Sequence, residues 1–253
     1  SQMIDLGWAG MAIPEAYGGF DFGYGGLGVV LEETGKTLVS SPLISTVLAG
    51  ATAIVQLGSE TQKQDLLPKI VAGELLTAIA LDEHVIHNPS KIATTATRIE
   101  DGYSLNGSKT FVLDGHIANM LIVVARTSGE TDSEQGISLF LVDANAKGLN
   151  VARTIMVDSR NCSNIQFNNV AVAEDALLGE LDQGFNGLDT VLDIARIGIA
   201  AEMLGSMQTV FESILEFLKQ REQFGVLIGS FQGLQHRAAE MYSEIELCKS
   251  SVR

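Results

Sequence analysis

Apolar positions along the chain recur with two different periods, and the change of period divides the sequence into three parts. Residues 27–76 place apolar side chains three and four positions apart, which predicts helices. Residues 77–173 carry short runs rich in β-branched residues, separated by turn residues, which predicts strands. The helical period returns over residues 184–253. The pattern predicts an α+β multidomain protein with helical domains on either side of a β-domain.

The first part is predicted to be an N-terminal helical domain spanning residues 1–76. A strongly apolar helix is expected from Leu43 to Gly58. Ser59 and Gln62 have the spacing of a capping box, in which each side chain bonds the other residue's main-chain N–H, and we expect them to open a further helix. Pro68 lies within that helix or ends it.

The second part, residues 77–183, is predicted to form a small antiparallel β-sandwich or barrel. Asn106-Gly107 and Asp114-Gly115 mark its turns, since Asn-Gly is a strong hairpin signal. The polar segment 127–135 is expected to be an exposed, mobile loop. The predicted strands are Tyr103–Leu105, Thr110–Leu113, Leu121–Ala125, Ile137–Val142 and Ile165–Phe167.

The third part, residues 184–253, is predicted to be an incomplete helical bundle. Its helical pattern breaks at Phe224-Gly225 and again at Gly229, and it restarts after Ser230, which we expect to cap the next helix. Two interpretations of this break stay open. It is an ordinary connection between helices, or it holds Arg221 and Phe224 toward a planar, anionic ligand.

Composition and charge exclude some classes of partner. The 253 residues carry a formal charge of −15, which disfavours nucleic acid and anionic membranes as partners. No apolar run reaches the roughly 20 residues of a membrane span. Cys162 and Cys248 do not form a disulfide framework and suit a reducing cytoplasm. The chain starts at Ser1 and ends in a helical pattern at Arg253, so we expect a fragment truncated at both ends.

The histidines offer weak signals for a site. His84 and His87 stand beside Asp82 and Glu83, and these four side chains invite a metal-binding interpretation. No further ligand has suitable spacing, so we predict no metal site. His116 and His236 are expected to be hydrogen-bonded structural residues.

Several segments together resemble the acyl-CoA dehydrogenase family. They are Ile13–Gly19, Leu57–Lys63, Leu67-Pro68, Ala72–Glu74, Leu192–Arg196, Arg221-x-x-Phe224-Gly225 and Phe231-Gln232. The resemblance implies that four residues contact the FAD of a neighbouring subunit. These are Arg221, Gln223, Phe224 and Gln232.

The resemblance also assigns flavin-supporting segments in the β-domain. Leu81–His84 is similar to a strand that normally ends in Thr-Glu-Pro, and Phe111–Gly115 is similar to a Trp-x-Thr-Asn-Gly segment. Leu81, Asp82, Phe111 and Leu113 are therefore expected to bind the cofactor. Asp82 and Leu113 replace hydroxyl residues near the flavin, and His84–Ser90 replaces a Gly-rich loop that approaches the CoA pyrophosphate.

The activity implied by the resemblance is α,β-dehydrogenation of an acyl-CoA thioester in fatty acid metabolism. It implies FAD as the cofactor, an electron-transfer flavoprotein as the electron acceptor, and a homodimer or homotetramer. The catalytic base is expected beyond Arg253 or is absent, because Ala195 occupies the alternative position for it. Two alternatives stay open: a non-catalytic subunit of a hetero-oligomeric acyl-CoA dehydrogenase, and a flavin oxidase or monooxygenase.

Overall fold

The computed structural model describes residues 2–158 and 160–253. These residues form two compact units. The first contains the segments up to Gly23 and 40–195, and the second contains residues 24–39 and 196–253. No helix of the described residues is both long enough and apolar enough to cross a membrane.

The helical part of the first unit begins with short elements and continues with two longer helical segments. The capping box is confirmed, since Gln62 N donates to Ser59 Oγ and Ser59 N donates to Gln62 Oε1. Pro68 lies inside the helix that this box opens. The helices are α1 (Gln2–Asp5), the 3₁₀ turns Trp8–Gly10 and Glu15–Tyr17, a π-helical segment Leu43–Ala51 continuing into α3 (Thr52–Leu57), and α4 (Glu60–Val71).

The strong apolar helix predicted over residues 43–58 therefore begins as a π-helix, which the sequence pattern does not indicate. π-Helical turns are rare and widen the helix. Gly50 in this segment lies so close to Thr77 that a side chain at position 50 would overlap the Thr77 hydroxyl. Thr46 Oγ1 donates to the Thr77 carbonyl and accepts from the Thr77 N–H, both at 3.0 Å. The segment is thus bonded directly to the first strand.

Eight strands form one sheet in the first unit. They are β1 (Thr77–Ala80), β2 (Thr95–Ile99), β3 (Gly102–Leu113), β4 (Met120–Arg126), β5 (Ile137–Asp143), β6 (Leu149–Ile155), β7 (Asn161–Ala173) and β8 (Leu177–Leu178). The order is β6-β7-β3-β2-β4-β5-β8, and β1 pairs with β4. The predicted antiparallel sheet is confirmed in most pairs. It is wrong for β1 with β4, which run parallel, and for the single pair between β2 and β4.

Strands β4 and β5 are buried on both faces, and this explains their nearly continuous apolar sequences. Ile122 and Leu139 pack in a cluster with the helical residues Ile54 and Leu67. The alternate residues of the same strands, such as Leu121 and Phe140, pack with residues of β3 and β7, including Tyr103, Leu105, Ile165 and Phe167. Distant parts of one sheet therefore share a core, as expected for a sheet that folds onto itself.

The predicted loop 127–135 is exposed, but one buried arginine organises it. The Arg126 guanidinium donates to six main-chain carbonyls, and burial lowers its pKa. These belong to Ser90, Ile92, Ser128, Thr131, Ser133 and Gln135. Mobility was predicted from composition alone, whereas these bonds hold the loop to the segment before β2.

The second unit consists of α2 (Gly23–Gly35) from Tyr24 onward, α5 (Gly184–Gln220) from Arg196 onward, and α6 (Gln232–Val252). A two-stranded hairpin, β9 (Glu222–Gln223) with β10 (Val226–Leu227), and a 3₁₀ turn (Ile228–Ser230) connect the last two helices. The prediction that Ser230 caps α6 is wrong. Phe231 is the capping position, and Ser230 Oγ donates back to the Leu227 carbonyl.

Candidate functional site

The hairpin between α5 and α6 presents an aromatic ring to solvent. Gln223 pairs with Val226, and Phe224 and Gly225 between them have φ angles of 56° and 79°. Positive φ at both central residues defines the tight turn whose twist matches paired strands. Phe224 is held in this turn with 93% of its surface exposed, and its ring meets that of Phe231 edge-on at 6.2 Å.

The connection between α5 and α6, together with the first residue of α6, forms an arm over residues 221–232. The other predicted FAD-contacting residues of this arm are also exposed. Arg221 follows the last turn of α5, and its carbonyl accepts a bond from Ile228 N at 2.8 Å. Its guanidinium makes no side-chain bond within residues 2–158 and 160–253. Among the described residues, the Gln223 amide donates only to the adjacent Glu222 carbonyl, and Gln232 begins α6 in solvent. A cation, a ring and two amides are thus available to a ligand or to another chain.

The β-domain brings the two predicted flavin-supporting segments side by side. Thr110 N donates to the Asp82 carbonyl at 2.7 Å, and Lys109 Nζ donates to the Leu81 carbonyl at 2.9 Å. Phe111 has a φ of 52° and is 47% exposed, so its ring is accessible. The Leu81 side chain is buried in the core, so only its main chain can face a ligand.

Asp82 is paired with a histidine. His87 Nδ1 lies 2.9 Å and 3.1 Å from the two Asp82 carboxylate oxygens. Leu113, partly buried on β3, offers no hydrogen-bonding side chain. This edge of the predicted site therefore carries a carboxylate–imidazole pair where the resembling family has hydroxyl groups.

A buried ion pair beneath this edge was missed by the sequence analysis. Lys109 Nζ lies 2.7 Å from Glu83 Oε1, with side chains 0% and 5% exposed. Glu83 also accepts from Ala93 N and Thr94 N. Burial lowers the pKa of Lys109 to about 8, although Glu83 opposes this shift. Burial acts to raise the pKa of Glu83, but Lys109 and the bonds from Thr94 together hold that pKa below its ordinary value.

The local signal for this pair is weak. Lys109 stands in a strand after Asn106-Gly107, where β3 has an irregularity in its register with β7 between Leu105 and Gly107. Lys109 continues the alternation of the buried Tyr103 and Leu105, and the extra residue of the irregularity lies in β7. The position therefore faces inward, but a lysine is ordinarily expected to face solvent, so its residue type does not identify it as buried.

The turn after β3 contains a second polar group with altered titration. Ser45 Oγ of the π-helical segment donates to Asp114 Oδ2 at 2.7 Å, and burial raises the pKa of Asp114. His116 was expected to be fully hydrogen-bonded, and that prediction is wrong for one atom. Its Nδ1 is buried without a partner in the described part of the chain. His236 is exposed on α6.

The metal interpretation has no support within the described residues, which contain no group of three or more potential ligands. Glu83 turns inward to Lys109, whereas Asp82 turns to His87. The two acids beside the histidines are therefore engaged in different pairs.

Three models of the acyl-CoA dehydrogenase family match the chain in order. The N-terminal domain matches residues 1–74, the middle domain 82–170 and the C-terminal domain 182–253. The chain belongs to the acyl-CoA dehydrogenase family. The predicted helical, β and helical parts correspond to these three matches, so the predicted fold class is confirmed.

Similar family members extend beyond this chain. A mitochondrial 2-methylacyl-CoA dehydrogenase of Solanum tuberosum is 33% identical over 259 residues, which cover 99% of the chain and 62% of that protein. An acyl-CoA dehydrogenase of Bacillus subtilis is 32% identical, covering 99% and 68%. The structure of butyryl-CoA dehydrogenase from Megasphaera elsdenii superimposes with a TM-score of 0.91 at 31% identity, covering 99% of this chain and 68% of that one. The chain thus spans about three fifths of the potato relative.

The residues present fit FAD in most respects. The exposed guanidinium of Arg221 suits an anionic group, and the exposed rings of Phe224 and Phe111 suit planar ones. The fit is poorest at Asp82 and Leu113, which supply no hydroxyl donor. Main-chain groups of the 81–82 and 110–113 segments do not depend on side-chain identity and are compatible with a flavin.

Proposed function

We propose that the protein is an FAD-dependent acyl-CoA dehydrogenase that introduces a double bond between the α and β carbons of an acyl-CoA thioester. The observation that carries this proposal is the similarity to acyl-CoA dehydrogenases, which spans all three parts of the chain. The exposed arm and the paired segments of the β-domain supply groups suited to the cofactor.

In this proposal each part of the site has a separate role. Bound FAD would accept the hydride that leaves the β carbon. Arg221, Gln223, Phe224 and Gln232 would hold the FAD of a neighbouring subunit. Leu81 and Asp82, through their main chains, and Phe111 and Leu113, through their surfaces, would support the flavin ring. The buried Lys109–Glu83 pair would fix these two segments against each other.

The α proton requires a base, and we assign none among the described residues. Ala195 lies in α5 at the position where part of the family places a glutamate, and a methyl group accepts no proton. The proposed reaction therefore requires a carboxylate base in addition to the residues assigned above.

We propose acyl-CoA as the substrate, an electron-transfer flavoprotein as the electron acceptor, and a homodimer or homotetramer as the assembly. The exposed Phe224 and Arg221 support the assembly, because a lone subunit leaves 93% of the Phe224 surface in solvent and gives the Arg221 guanidinium no side-chain bond among the described residues. The alternatives, a non-catalytic subunit and a flavin oxidase or monooxygenase, are not favoured by the names of the relatives reported above.

We also propose a cytoplasmic location and a role in fatty acid metabolism. Two free cysteines support a reducing compartment. The potato relative is named as mitochondrial, so cell fractionation with markers for both compartments tests the location.

The proposed domain boundaries are 1–76, 77–183 and 184–253. Strand β1 begins at Thr77 and α5 begins at Gly184, which supports both divisions. The compact units divide the chain differently, because they group residues 24–39 with the C-terminal helices. Limited proteolysis followed by mass spectrometry tests which segments separate.

The activity is tested by the visible spectrum of the purified full-length protein and by anaerobic addition of a series of acyl-CoAs. Flavin absorbance that bleaches with one of them supports the proposal and names the substrate class. A protein that binds no FAD contradicts it. A flavin that is never bleached by an acyl-CoA, yet reoxidises rapidly in air, supports the oxygen-using alternative.

The arm is tested by Arg221→Ala, with Arg237→Ala as the matched control. Arg237 is also exposed, but it pairs with Glu240 on α6. Loss of one charge-assisted bond costs about 1.5–3 kcal/mol, so Arg221→Ala should weaken FAD binding on the order of ten- to a hundredfold. Equal FAD affinities in the two variants would argue against a role for Arg221.

A further inference from the structure

The Asp82–His87 pair lies beside the surface that the flavin would occupy. The Asp82 carbonyl accepts the Thr110 N–H at 2.7 Å, which places the Asp82 main chain beside the segment that carries the exposed Phe111. Both carboxylate oxygens of Asp82 contact Nδ1 of His87, at 2.9 Å and 3.1 Å. The Asp82 side chain is 27% exposed and the His87 side chain 48% exposed, so solvent reaches both.

The loop that carries His87 is held at both ends. Glu83, at its start, accepts hydrogen bonds from Ala93 N and Thr94 N at its end. Arg126 binds the carbonyls of Ser90 and Ile92 within the same segment. These bonds close the loop, and the fixed backbone places His87 within reach of Asp82. The contact is therefore built by the fold of the loop.

The charge of this pair would act on a flavin bound beside it. An ionised Asp82 would repel the negative charge that a flavin ring gains on reduction. A protonated His87 cancels that charge, and a neutral His87 leaves it in place. Imidazole is the side chain whose ordinary titration falls closest to neutral pH.

We propose that His87 is a positioning residue that sets the charge of Asp82 at the flavin edge, so that reduction of the flavin is coupled to protonation of His87. This inference rests on the proposed function. In the coupled step the substrate would pass two electrons and one proton as a hydride to the bound flavin, and His87 would take one further proton from solvent. The Asp82–His87 pair would thereby take the place of the hydroxyl residue that the family has at the position of Asp82.

Other charged groups face the same pair. Lys109 lies on β3 near the pair, and the charge of Asp82 acts to raise the pKa of Lys109. Glu83 is paired with Lys109. His84 and Lys91 line the outer side of the loop. Lys109 is the principal competing source of a pH response, and His84 is the matched histidine, exposed in the same loop.

The test is the reduction potential of the bound flavin, measured anaerobically against a reference dye between about pH 5.5 and 8.5, where imidazole titrates. The variants are His87→Gln, His84→Gln, Asp82→Asn and the double variant Asp82→Asn/His87→Gln. In the wild type the potential should fall with pH more steeply than in His87→Gln, by up to one proton per two electrons. His84→Gln should follow the wild type.

Two variants remove the Asp82 carboxylate. In Asp82→Asn the reduction potential of the flavin at alkaline pH should be higher than in the wild type, and the double variant Asp82→Asn/His87→Gln should have the same potential as Asp82→Asn. A His87→Gln protein that keeps the wild-type slope overturns the inference, because the proton then belongs to Lys109 or another group. An equal effect of His84→Gln overturns it as well.

The test is separable from that of the proposed function. Bleaching by acyl-CoA is recorded on the same samples. A flavin that bleaches but whose potential ignores His87 contradicts the coupling alone. A flavin that never bleaches contradicts the substrate proposal, while its potential still reports on the pair. A protein that binds no flavin overturns both.

Discussion

Replacing Lys109 with Met should destabilise the first unit more than any comparable change of an exposed lysine. Met has a similar length but no charge, so Lys109→Met leaves the Glu83 carboxylate buried with only the N–H donors of Ala93 and Thr94. It also removes the donor to the Leu81 carbonyl. Removing one partner of a buried ion pair costs about 3–5 kcal/mol.

The contacts of Glu83 and Leu81 narrow the expected loss of unfolding free energy. Two main-chain donors remain on Glu83, which reduces the penalty for its charge, whereas the orphaned Leu81 carbonyl adds about 1–3 kcal/mol. These two effects oppose each other, so we expect a loss of about 4 kcal/mol, in the middle of the range for a broken buried pair.

The assay is urea unfolding followed by Trp8 fluorescence, since Trp8 is the single tryptophan and lies in the first unit. The control is Lys69→Met, which removes an exposed pair with Asp65 and should cost less than about 1 kcal/mol. The double variant Glu83→Gln/Lys109→Met should cost less than the sum of its single variants, because no unpaired charge remains. Equal losses in Lys109→Met and Lys69→Met would refute this reasoning.

Three further changes test other parts of the fold. The Lys109 pKa of about 8 lies below its ordinary 10.5, so between these pH values the folded protein has released a proton that the unfolded chain still binds. The free energy of unfolding should therefore rise between these pH values in the wild type but not in Lys109→Met. Parallel pH profiles of the urea midpoint in the two proteins would contradict this. Ser59→Ala should lower the free energy of unfolding by about 1 kcal/mol, whereas an unchanged midpoint would deny the capping box a stabilising role. Arg126→Lys should speed cleavage of the 127–135 loop by a Glu-specific protease on the order of tenfold, since a lysine cannot serve six carbonyls; wild-type cleavage rates would show that the loop is ordered by other contacts.

Local patterns predicted most elements whose cause is local, although the cap at Ser230 and the turn at Asn106-Gly107, which lies inside β3, were predicted wrongly. The period of apolar residues separates helices from strands because a helix and a strand present one face to the core at different intervals. The capping box at Ser59 and the turn at Phe224-Gly225 depend on residues at most three positions apart. The exposure of Arg221 and Phe224 also has a local cause, because the break in the helical pattern indicates a connection that projects from the helices.

Resemblance identified the segments 81–84 and 111–115, but the roles of their side chains depended on long-range contacts. Lys109 is buried because Glu83 and the Leu81 carbonyl approach it from 26 and 28 residues away. His87 meets Asp82 because the Thr94 N–H bond to Glu83 and the Arg126 bond to Ile92 close the loop 83–94 that carries His87. No period or spacing in the sequence encodes these approaches.

The tertiary structure also decided the direction of strands and the form of one helix. Strand β1 runs parallel to β4, although the alternating pattern is the same for either direction. Leu43–Ala51 is π-helical, although its composition is that of an ordinary apolar helix, and it bonds to Thr77 and Asp114. The sequence by itself determined which residues form helices and strands, because those choices depend on near neighbours. Only the fold determined which charges face one another, because that depends on how distant segments pack.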